Sequence, residues 1–69
     1  MRMALRELRM GTIYDLSDID YDIIENLNEH VKVIKRGNHS VVVSTIGLEN
    51  GKVKVMKPLL EENDRQPLR

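Results

Sequence analysis

The chain has 69 residues, 41% of them hydrophobic, with eleven Lys and Arg against eleven Asp and Glu and no cysteine. Such a length allows one small domain that buries only about 60% of its unfolded surface, and the missing cysteine excludes disulfides and thiolate metal sites. The balanced total hides sorted charges: residues 1–10 carry +2, 11–31 carry −6 with no Lys or Arg, 32–58 carry +5 and 59–69 carry −1.

Residues 1–9 (MRMALRELR) read either as one helix or as a short strand followed by a turn of helix, because good helix formers coexist with alternating Met1, Met3 and Leu5. Gly11 breaks the pattern and Thr12-Ile13-Tyr14 reads as extended. Ser17 then suits an N-cap, with Asp20 three residues on and Leu16 and Tyr21 placed as a hydrophobic staple. Asp18, Asp20 and Asp22 crowd the first turns, where the helix dipole favours acids. Ile19, Ile23, Ile24 and Leu27 recur at helical spacing. These features predict an amphipathic helix over about 17–29 with a solvated acidic face.

Three β-rich runs follow, about 31–36, 40–46 and 52–56, separated by Gly37-Asn38-His39 and Glu49-Asn50-Gly51. Loop length sets the register, since a slip of one residue turns every side chain to the opposite face. Three-residue loops collect Val31, Val33, Val41, Val43, Thr45, Val53 and Val55 on one face. They put Lys32, Ile34, Arg36, Val42, Ser44, Ile46, Lys52, Lys54 and Met56 on the other. Two-residue loops would mix valine and lysine, and Asn50-Gly51 alone would also suit a two-residue turn. The three-residue register is preferred. The expected fold is thus α+β: one helix packed on a three-stranded antiparallel meander, in a single domain of residues 1–58. Residues 59–69 read as a polar tail or a partner-binding arm.

Two histidines, His30 and His39, without ligand spacing leave no expected metal or cofactor. No glycine-rich phosphate loop and no nucleophile with a base are present, so no enzyme is expected. Asp18, Asp20 and Asp22 lack the glycine and downstream glutamate of a calcium loop. No apolar run long enough to span a bilayer and no leader pattern occur, so the protein reads as soluble, cytoplasmic and without membrane association. With disulfides and metals excluded, a homodimer is the expected way to complete a small core. Phe and Trp are absent, and Tyr14 and Tyr21 lie outside the basic strands. A base-stacking surface for single-stranded nucleic acid is therefore disfavoured. Lys32, Arg36, Lys52 and Lys54 form a candidate basic surface for nucleic-acid phosphates or an acidic partner.

Three resemblances bear on function. Residues 3–46, with MALRELR, a helix ending at Leu27, VKVIKRG and SVVVS, resemble Phd/YefM-type antitoxins. Residues 31–55, VKVIKRGNHSVVV with GLENGKVKV, are similar to the AbrB/MazE swapped-hairpin domain. LSDIDYDIIENL resembles the first helix of Lrp/AsnC regulators, but no helix-turn-helix can be built after it. The first two imply a dimeric DNA-binding regulator of antitoxin type. The Phd-like resemblance implies that Arg6 and Arg9 contact duplex DNA and that residues 58–69 hold a toxin-like protein partner. The swapped-hairpin resemblance implies that Lys35, Arg36 and Asn38 lie near a DNA-facing loop. The competing expectation is a small non-enzymatic adaptor or inhibitor that binds a protein and no nucleic acid.

Overall fold

The computed structural model describes residues 2–59, and within them the chain is built from strands and short 3₁₀ turns with no α-helix. The strands are β1 (Met3–Ala4), β2 (Ile13–Asp15), β3 (Ile19–Asp20), β4 (Ile23–Asn26), β5 (Val31–Arg36), β6 (His39–Ser44) and β7 (Lys52–Pro58). An antiparallel sheet of five strands runs in the order β2-β7-β6-β5-β4, and β1 and β3 make a separate parallel pair. The expected α+β architecture, a helix over 17–29 on a three-stranded meander, is therefore corrected to a mostly β fold. The expected arm at 59–69 lies, beyond Leu59, outside the described residues.

The segment expected to be helical folds as a 3₁₀ turn at Leu16–Asp18, then β3, then β4. Ile19, Ile23 and Ile24 are β-branched, which costs rotamer freedom in a helix and suits a pleated strand. Asp, Asn and Ser around them compete for backbone hydrogen bonds and favour turns. Asn28 shows this directly: its Oδ1 accepts the His30 and Val31 amides at 2.8 and 2.9 Å and so bends the chain from β4 into β5. Ser17 sits inside the 3₁₀ turn and caps no helix; Leu16 and Tyr21 pack against the core instead of stapling one. At the N-terminus a strand precedes a 3₁₀ turn at Leu5–Glu7, whose Glu7 carboxylate accepts the Ala4 amide at 3.0 Å.

The β5–β6 hairpin also departs from the preferred register. Arg36 pairs with His39, leaving the two-residue turn Gly37-Asn38. Gly37 has φ +61° and Asn38 has no positive φ, which is the backbone of a type II′ turn, whose twist matches that of the strands. The three-residue loop is thus excluded here, and β5 is turned over relative to expectation. Ile34 faces the same side as Val41 and Val43, while Val31 and Val33 face away. The longer β6–β7 connection closes with Lys52 donating its amide to the Glu49 carbonyl at 3.1 Å.

One face of the sheet, the inner one, carries Ile34, Val41, Val43, Val53 and Val55. Leu5 and Ile19, from the segment that contains the β1–β3 pair, close over it, with Leu8, Tyr14, Leu16 and Tyr21 packed around the margin. Both tyrosines are thus used for packing, and the Tyr14 hydroxyl accepts the Arg9 amide at 3.1 Å. On the outer face Val33 and Val42 are buried as a second, smaller apolar pair. β7 carries a β-bulge there: Val43 pairs with Val55 and Val42 with Lys57, so Met56 is an extra residue.

Candidate interaction surface

Strand register decides which side chains share a surface, because residues directly opposite in a sheet lie on the same face. Lys52, Lys54 and Lys35 lie on the outer face, through their pairing with Asp15, Ser44 and Ser40. Lys32 and Arg36 lie on the inner face, opposite Val43 and His39. Lys32, Arg36, Lys52 and Lys54 are therefore divided between two faces of the sheet. Asn38 is exposed in the hairpin turn, Arg6 is exposed in the first 3₁₀ turn, and Arg9 is exposed in the link to β2.

The structure brings most of these cations onto the acidic segment of the same chain. Lys52 Nζ lies 2.8 Å from Asp15 Oδ1 on the neighbouring strand. Lys35 Nζ lies 3.0 Å from Glu25 Oε2, across the β4–β5 pair. Arg36 bridges two acids, with Nε 3.3 Å from Asp20 Oδ2 and Nη1 on Asp22 Oδ1. Lys32 Nζ donates to Asn26 Oδ1 at 2.7 Å. Each contact is partly exposed, so each contributes a small amount to stability, about 0–1 kcal/mol in general. Together they show what the charge sorting does: the acidic block is folded beside the basic block and neutralises it within one chain.

Hydrogen bonding from the Lys52 ammonium to Asp15, reinforced by the charge of the same carboxylate, raises the Lys52 pKa above its ordinary value. The stabilisation from this pair is complete below the ordinary lysine range and is lost as pH rises through the raised value. Asp15→Asn should therefore lower the Lys52 titration midpoint toward that of an ordinary lysine. Side-chain NMR of the lysine ammonium groups reads this directly, and an unchanged midpoint would show that the contact is not maintained in solution.

A shallow cleft of about 170 Å³ lies between the first 3₁₀ turn and the sheet, lined by Ala4, Leu5, Arg6, Asp20, Arg36 and His39. Its Arg36 is already committed to Asp20 and Asp22. Among the described residues no three His, Asp or Glu side chains are grouped to hold a metal ion, and no helix is long and apolar enough to cross a membrane.

No family model matches this chain, and neither a curated protein nor a solved structure is significantly similar to it. The site rests on its own geometry.

Among the described residues, the part of the outer face left without ion pairs is a patch at its β2–β7 side. Ile13 lies directly opposite Lys54, and Met56 and Lys57 follow along β7 opposite Val42. Ile13 and Met56 are each 48% exposed. Lys54 and Lys57 are exposed and have no ion pair among the described residues. The sequence points to Lys54 but not to Lys57, which lies beyond the run expected at 52–56, and simple alternation from Lys54 would turn Lys57 to the inner face. Only the bulge at Met56 returns it to the outer one, and nothing in a single sequence marks that bulge.

Proposed function

We propose that the chain is a small non-enzymatic protein-interaction domain, an adaptor or inhibitor. The observation that carries this reading is the internal neutralisation of the basic strands. Lys35, Arg36 and Lys52 are ion-paired to acids of the same chain, and Lys32 is hydrogen-bonded to Asn26. A duplex reader needs cations free to replace condensed counterions at successive phosphates. Here those cations are largely occupied and are split between two faces.

A second reading, a dimeric antitoxin-type regulator that binds duplex DNA, draws on Arg6, Arg9 and Lys54, which have no ion pair among the described residues. Titration of the protein against labelled duplex DNA at two salt concentrations separates the two. The adaptor reading expects no saturable binding even at low salt. A dimeric regulator using these three residues of each protomer would bind with a log–log salt slope of roughly −5. Saturable binding with that slope, reduced by Arg6→Glu/Arg9→Glu, would overturn the adaptor reading.

A further inference from the structure

We infer that the patch formed by Ile13, Lys54, Met56 and Lys57 is the docking surface, and that its partner is an acidic amphipathic protein segment, with carboxylates interleaved among aliphatic side chains. The inference rests on the interaction-domain reading and names its site and the chemistry of its ligand.

The patch combines two features that the remainder of the sheet does not. Its two cations have no ion pair among the described residues, whereas the three other basic strand residues in ion pairs already face a carboxylate within 3.3 Å. Its two large apolar side chains, Ile13 and Met56, are half out of the fold beside those cations. Lys54 and Met56 are two positions apart on one strand, hence about 7 Å apart along it, which is the spacing of same-side residues in an extended partner. Between them and β5 the sheet surface is floored by Val42 and Ser44, with Val33 beyond. Carboxylates on such a partner meet Lys54 and Lys57 while its aliphatic groups cover Ile13, Met56 and the exposed margin of Val42. A phosphodiester backbone would satisfy the lysines but leave the two apolar side chains without a contact. The observations therefore favour the acidic peptide over nucleic acid. Met56 adds adaptability, since its unbranched thioether fits irregular apolar surfaces.

The test uses the full chain and three short labelled peptides: alternating glutamate and leucine, glutamate and serine, and lysine and leucine. Amide and methyl NMR shifts locate binding. The glutamate–leucine peptide should bind and move signals of Ile13, Val42, Lys54, Met56 and Lys57. The Lys54→Glu/Lys57→Glu variant should weaken it about tenfold, because reversing rim charges replaces attraction by repulsion. Met56→Ser should weaken it several-fold, and the glutamate–serine peptide should bind correspondingly less well than its leucine counterpart. All three substitutions are on exposed positions, so the variants keep the fold. Equal binding of the lysine–leucine peptide would overturn the proposal, as would no binding of any peptide. Shifts confined to another surface would also overturn it while leaving the interaction-domain reading intact. Patch shifts produced by duplex DNA alone would overturn both.

Discussion

Ile34→Ala should destabilise the protein by about 2–5 kcal/mol, the usual cost of truncating a fully buried isoleucine. Ile34 is 0% exposed, sits in the middle of β5 and is flanked on its own face by Val41 on β6 and Ile24 on β4. It belongs to the cluster that Leu5 and Ile19 cover, so the cavity would open beneath the N-terminal segment. Small domains have total stabilities toward the lower end of about 5–15 kcal/mol, so this one truncation removes a large share. Chemical denaturation followed by circular dichroism gives the difference. Ile34→Val supplies a milder step of about 0.5–1.5 kcal/mol should the alanine variant not fold. Ile46→Ala, at an exposed position beyond β6, should change stability by less than about 0.5 kcal/mol. If Ile34→Ala and Ile46→Ala were equally mild, the inner face assigned to β5 would be wrong.

Ile34 also shows where the sequence stops being readable. The three runs that become β5, β6 and β7 stand out because valine and isoleucine alternate between glycine-bearing turns. The face each residue takes is a different matter. Reading lysines outward and valines inward favours three-residue loops, which put Ile34 on the side of the cations. The folded chain instead uses Gly37-Asn38 as a two-residue turn, so Lys32 and Arg36 fall on the inner face with Ile34. They are tolerated there because long stems cover apolar surface while their charged ends reach the rim. At that rim they meet Asn26, Asp20 and Asp22. Those partners come from a segment expected to be helical, so the correct register depended on a contact that the helix reading removed.

The candidate site divides in the same way. Lys54 was visible as a cation in a β-rich run. Its lack of an ion pair among the described residues was not, because that follows from which strand lies beside it. β2 places Ile13 opposite Lys54 and Asp15 opposite Lys52. One lysine is neutralised by β2 and the next, two residues along the same strand, faces an isoleucine there instead of an acid. The sorted charges of the sequence therefore have a structural explanation that requires no nucleic acid: antiparallel pairing brings the acidic β2–β4 region against basic β5 and β7. Opposite charges in cross-strand positions also disfavour slipped registers, which would set like charges together.

The acidic segment itself offers the sharpest test of the fold. A helix over 17–29 would bury Ile19, Ile23, Ile24 and Leu27 together as one stripe. In the strand arrangement Ile19 is 1% exposed and lies in the core, whereas Ile23 and Leu27 are 52% and 59% exposed at the sheet edge. Ile19→Ala should therefore cost about 2–5 kcal/mol, and Ile23→Ala and Leu27→Ala less than about 0.5 kcal/mol each. Ile19 occupies a two-residue strand that pairs with Met3, so its truncation should also loosen β1. Hydrogen exchange at the β1 amides reports that loosening separately from global unfolding, since local openings lie below the global free energy. Comparable losses from all three alanine variants would restore the single buried stripe of a helix. A large loss confined to Ile19 is the signature of a chain whose isoleucines alternate between core and edge because the segment runs as strands.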